Sequence, residues 1–207
     1  TIDTITILFD GQTLDLDGDT LNISAVAVAD GRHRGTQNAT GMRNSSINFS
    51  GDRVNISAYA KGRNPFAYAM NNSQLNLLGN NNKVITIDAH SRTWRYDPSW
   101  GLHNSTIRTG QGDDLININT SAGVFENDRE HGNIYTTGLN RSFISTGGGA
   151  DSICLTNKAS GGRRYTGRAT IGATSLEASL INLGSGNNTL TANTIAEQSK
   201  NHLLGLA

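Results

Sequence analysis

The stretch GLHNSTIRTGQGDDLININT, residues 101–120, places two carboxylates behind two glycines and follows them with a strictly alternating run. Read alone, it suggests a calcium loop or a pair of catalytic acids. Its meaning changes once the rest of the chain is searched for copies, a step that precedes any motif assignment.

Four further stretches share its plan: GMRNSSINFSGDRVNIS from Gly41, AMNNSQLNLLGNNNKVITI from Ala69, GLNRSFISTGGGADSICL from Gly138 and SLEASLINLGSGNNTLTA from Ser175. Each has a small residue, then Met or Leu, two variable positions and Ser, then Ile or Leu. A glycine turn rich in Asp and Asn and a second alternating run follow. A partial sixth copy, GQTLDLDGDTLNIS, begins at Gly11. One apolar position of the last run marks the register: Ile23, Ile56, Ile87, Ile118, Leu155 and Ala192. Subtracting neighbours gives about 31 to 37 residues per unit, a near-constant register with slack for loops, as stacked repeats show.

Each unit reads as three short strands. The NSTIRT and DLININTSA types alternate with period two, one face buried and the other wet. The third, of the AYAM or IYTTGL type, leads into the next unit. A variable stretch such as SRTWRYDPSW or VFENDREHGN separates the second strand from the third. Only IAEQSKNHLL, from Ile195, competes as a short helix or another variable loop. The fold class expected is therefore all-β: a right-handed parallel β-helix (β-solenoid) of about six stacked coils of roughly 31–37 residues over residues 1–207. Stacked at about 4.8 Å, six coils make a rod roughly 29 Å tall. A sandwich of hairpins closed at the glycine turns is the alternative. Hairpins would not require the same residue types at the same register in every unit.

Composition agrees. The chain has 207 residues, 35% of them hydrophobic and 6% aromatic, with 24 Gly against 2 Pro. That balance suits many short strands around a thin aliphatic core. Net charge is zero and the charges are scattered, which gives no footprint for nucleic acid. Arg163 and Arg164 read as a solvated loop. No apolar run reaches the length of a membrane helix, so no membrane insertion is expected. The single Cys154 excludes an internal disulfide and a cysteine zinc site, and a small buried apolar role is expected for it. Thr1 stands where an initiator Met would, and Gly205-Leu206-Ala207 reads as the opening of another unit. Both suggest a piece of a longer array, with neighbouring repeats or other copies end to end as partners.

Glycine recurs in the turn column because a tight corner needs positive φ, which Asp and Asn tolerate next best. Stacked Asn side chains can form a ladder there. The competing reading is calcium, which needs six to eight oxygens, and Asp113, Asp114 and Asp151 are the candidate ligands. The run NSTIRTGQGDDLININ resembles the haemolysin-type, RTX-like repeats of giant bacterial surface proteins. The wider GL-x-NS-x-I pattern is similar to giant repetitive proteins of marine cyanobacteria and to phage fibre proteins. The resemblance implies a secreted, solenoidal, non-catalytic role in adhesion, motility or envelope structure, at the extracellular surface. Two departures bear on calcium: the period exceeds nine residues, and several turns lack acid.

An enzyme acting on sugars needs two carboxylates across a groove, which adjacent Asp113 and Asp114 do not provide. The richest alternative is the loop DAHSRTWRYDPSWGLH, residues 88–103, where Trp94, Tyr96 and Trp100 could form a carbohydrate-binding platform for surface glycans. The same rings could instead pack down on the side of the solenoid. His90 and His103 lack a third ligand in register for zinc. No catalytic residues are assigned, and the chain is expected not to be an enzyme.

Overall fold

The computed structural model describes residues 4–29, 35–93, 97–124, 133–161 and 170–198. They form eighteen strands and, among the described residues, no helix. The strands fall into six coils of three: β1 (Thr4–Asp10), β2 (Thr13–Leu16) and β3 (Thr20–Val28); β4 (Thr36–Arg43), β5 (Ser46–Phe49) and β6 (Arg53–Gly62); β7 (Asn64–Asn71), β8 (Gln74–Leu77) and β9 (Val84–Thr93). The next three coils are β10 (Asp97–His103), β11 (Thr106–Arg108) and β12 (Leu115–Val124); β13 (Ile134–Asn140), β14 (Phe143–Ser145) and β15 (Ser152–Gly161); and β16 (Ile171–Glu177), β17 (Leu180–Asn182) and β18 (Thr189–Gln198). Every strand of the first five coils pairs in parallel with the one three places further along, giving three six-stranded sheets. This is a β-solenoid, as the repeats require. The Ile195–Gln198 part of the ambiguous segment belongs to β18, and the rest of it lies outside the described residues.

The register inferred from the sequence is the register of the sheet. Ile23 pairs with Ile56, Ile56 with Ile87, Ile87 with Ile118, Ile118 with Leu155 and Leu155 with Ala192. Alternation fixes which side faces in: Ile116, Ile118, Ile153 and Leu155 are fully buried. The same parity corrects the expectation for Cys154. Lying between buried Ile153 and Leu155, it faces outward and is only partly covered. Its run is apolar enough to suggest burial, but period two sends every second side chain to solvent.

A second interior column, Ile47, Leu75, Ile107 and Ile144, comes from the short middle strands. Met42, Met70, Leu102 and Leu139 close the third side. The small residue before each of these is explained by space. A Cβ on Gly101 would lie 2.5 Å from Ile118 Cγ2 and 2.7 Å from the Gly138 carbonyl oxygen.

The Asn-Ser pair of the repeat builds the first corner. Asn44, Asn72, Asn104, Arg141 and Ala178 all adopt φ between 46° and 50°, a region Asn enters more readily than most residues. The serine after each serves as both donor and acceptor. In Ser45, Ser73, Ser105, Ser142 and Ser179 the hydroxyl donates to the carbonyl two residues back and accepts a backbone N–H one coil earlier, that of Gln12 for Ser45 and that of the preceding serine for the other four. An Asn side-chain ladder also runs up this corner: Asn104 donates to Asn72 and Asn72 to Asn44, at 2.8 and 2.7 Å.

Candidate functional site

The second corner carries the Gly-Asp column. Its length is not constant. Three residues, 17–19 and 50–52, join the strands in the first two coils, whereas six do so at 78–83, 109–114, 146–151 and 183–188. Three of the four longer corners place glycine at two positive-φ positions, and the corner at 78–83 does so once, at Gly79. Gly149 has φ 135°, and a Cβ there would meet the Gly112 carbonyl oxygen at 2.1 Å. The backbone of one coil therefore rests directly on the next.

Two side-chain columns run up this corner, one outside and one inside. On the outside, Asn82 Oδ1 accepts the Asp113 N–H at 2.9 Å and Asp113 Oδ1 accepts the Ala150 N–H at 2.7 Å. On the inside, Asp114 Oδ1 accepts the Lys83 N–H, Asp151 Oδ1 the Asp114 N–H and Asn188 Oδ1 the Asp151 N–H, at 2.7, 2.9 and 2.8 Å. Carboxylate and amide oxygens do the same work in both columns, which is why Asp and Asn exchange freely along the repeat.

The three candidate calcium ligands are divided by this arrangement. Asp114 and Asp151 are buried neighbours on successive coils, at 2% and 1% exposure, while Asp113 is exposed on the outer column. The second Asp114 oxygen accepts the Thr109 hydroxyl, so only Asp151 Oδ2 is left without a partner. Calcium needs six or more converging oxygens, and among the described residues no three acidic, His or Cys side chains converge. The donor set as arranged does not fit a calcium cage.

Lys83 occupies the inner column one coil before Asp114, a buried place that its charge does not foretell. Its side chain is fully buried, and Nζ donates to Asp52 Oδ1 at 2.7 Å and to the Gly51 carbonyl at 3.2 Å. The ammonium holds the Asp52 carboxyl below its ordinary range. The step from six-residue to three-residue corners leaves a cleft of about 640 Å³ beneath this pair. Asn81 and Asn82 form its upper edge, and Asp19, Asp52 and Arg53 line it with Ser50 and Thr20.

Of the three aromatic candidates, Trp94 and Tyr96 lie outside the described residues. Trp100 is on the outward face of β10, and Tyr68 from the preceding coil stacks on it, centroids 4.5 Å apart and planes 6° from parallel. His103 meets both rings at 5.8 and 6.0 Å, and burial lowers its pKa from the ordinary imidazole value. Tyr68 was legible from the repeat, since Trp100 pairs with it in the sheet. One face of each ring is taken by the other, which favours the packed-down reading over an open sugar platform. His90 is on another sheet, with Nδ1 2.6 Å from Ser121 Oγ, so the two histidines do not converge.

No family model, curated protein or solved structure matches the chain.

Proposed function

We propose that the chain is a non-catalytic structural or adhesive segment of an extracellular repeat protein, a length of cell-surface rod, filament or fibre. One observation carries this reading: the polar side chains that the sequence singles out bond from coil to coil. Asp113 and Asp114 hold backbone N–H groups of adjacent coils, and Ser45 through Ser179 do the same. An array of vertical hydrogen bonds extends by addition of further coils and leaves these groups unavailable for acid-base work. The resemblance to RTX-like surface repeats supports the extracellular setting. The partners in this reading are neighbouring repeats or other copies, end to end. Inward-column residues Leu176 and Leu190 of the last described coil remain 38% and 44% exposed. Incubation with a panel of neutral and acidic polysaccharides tests the non-catalytic claim. Chain shortening that is lost in Asp113→Asn or Asp19→Asn would sink it.

The cleft at the corner step favours a second reading, binding of a surface glycan. Planar Asp, Asn and Arg groups suit paired sugar hydroxyls, and the volume lies in the range of small-ligand sites. This places the sugar away from Trp100. Glycan-array binding that survives Arg53→Ala with Asn81→Ala would dispose of the cleft as that site.

A further inference from the structure

The step in corner length takes away a partner that the repeat supplies elsewhere. In the outer column the Asp113 N–H donates to Asn82 Oδ1 and the Ala150 N–H to Asp113 Oδ1, each reaching a side chain one coil earlier. The repeat aims the Asn82 N–H in the same direction, toward the corner of the second coil. That corner has three residues, 50–52, against the six of 78–83, so no residue stands in the acceptor's place. Among the described residues no side chain accepts the Asn82 N–H. Asn82 forms the upper edge of the 640 Å³ cleft, and its N–H is a donor turned toward that space.

The opposite side of the cleft is complementary. Asp19 and Asp52 are exposed there as acceptors, and Lys83 Nζ fixes the Asp52 carboxylate from inside at 2.7 Å. A group bound between the two sides must accept from Asn82 and donate to carboxylates, and a hydroxyl does both. Charge narrows the class. Asp19 and Asp52 are balanced by Arg53 and by Lys83 behind them. A neutral ligand therefore leaves no charge uncompensated, whereas an acidic one places its anion beside two carboxylates. Val84 is the one apolar side chain of the lining, and no aromatic ring contributes. A peptide would find no pockets there for its side chains.

We infer that the cleft takes a neutral, hydroxyl-rich saccharide, held by the Asn82 N–H on one side and by Asp19 and Asp52 on the other, and that it discriminates against uronic-acid and sulfated glycans. The inference rests on the reading of the cleft as a glycan site and adds the ligand class and the anchoring groups. The sugar hydroxyl oxygen takes the place that the side-chain oxygens of Asn82 and Asp113 fill in the later coils. Hydrogen bonding without ring stacking supplies the contact, so the expected affinity is modest and the selectivity comes from charge.

The test titrates the isotope-labelled full chain in EDTA with neutral oligosaccharides built of glucose, mannose or galactose, and separately with oligogalacturonate, while amide NMR spectra are recorded. A neutral oligosaccharide at millimolar concentration is expected to shift the amides of Asn82, Asp52 and Arg53, and oligogalacturonate to leave them in place. Asp19→Ala, at an exposed side chain, is expected to weaken the neutral sugar about tenfold, with its unliganded spectrum matching the wild type away from the corner. Shifts caused by oligogalacturonate alone would overturn the neutral class and leave the cleft a glycan site. Shifts caused by no saccharide would overturn the glycan reading with it, and shifts caused instead by a Gly-Ser peptide would assign the cleft to a polypeptide. A neutral-sugar affinity unchanged in Asp19→Ala would remove Asp19 from the site and sink the proposed geometry.

Discussion

Ser105 Oγ accepts the backbone N–H of Ser73, 3.1 Å away and one coil earlier, while donating to the carbonyl of His103 at 2.7 Å. A single hydroxyl thereby joins two coils and closes its own corner. Ser105→Ala leaves a buried N–H without an acceptor, and the expected cost is about 1–3 kcal/mol. Urea unfolding checks it, and an unchanged midpoint would mean that water replaces the hydroxyl.

Gly101 has no room for a methyl group between Ile118 Cγ2 and the Gly138 carbonyl. Gly101→Ala is expected to destabilise by about 1–3 kcal/mol, as overpacking does. The equivalent position one coil earlier is Ala69, so the cost measures how far coil spacing adjusts locally.

Among the aliphatic columns, Ile118→Ala should cost about 2–5 kcal/mol and Ile118→Val about 0.5–1.5. Leu180, outward-facing and 62% exposed, should tolerate alanine within about 0.5 kcal/mol. Denaturant midpoints on all three variants test the inside-outside assignment directly.

The Tyr68–Trp100 stack predicts a coupling of about 0.5–1.5 kcal/mol in a double-mutant cycle with alanine at each position. A coupling near zero would show that the rings are neighbours without being partners.

On the acid side, Arg43 holds Asp10, and Lys83 holds Asp52, below the ordinary carboxylate value. Their stabilisation is present above the unfolded value of 3.8 and is lost as pH falls through the folded values. Asp52→Asn should therefore shallow the acid limb of the stability profile without altering the alkaline limb.

Much of this arrangement was legible in the residues because a stacked fold writes its register into the chain. Ile23, Ile56, Ile87 and Ile118 recur at the coil period since each must sit on the last. The Asn-Ser pair recurs because only certain residues enter the left-handed region and only a short hydroxyl reaches both neighbours. Cys154 was misread because composition was preferred to parity.

The sequence by itself determined the repeat, the three strands per coil, the aliphatic interior and the glycine corners, since all of these follow from local periodicity and backbone sterics. Tertiary structure decided which acid of the Asp113-Asp114 pair is buried and which is wet. It also decided that Lys83 reaches back to Asp52, and that a cleft opens where corner length changes. Those outcomes depend on what the coils above and below place beside each residue. Neighbours some thirty positions away, offset by corners of unequal length, are set by packing rather than by the local chain.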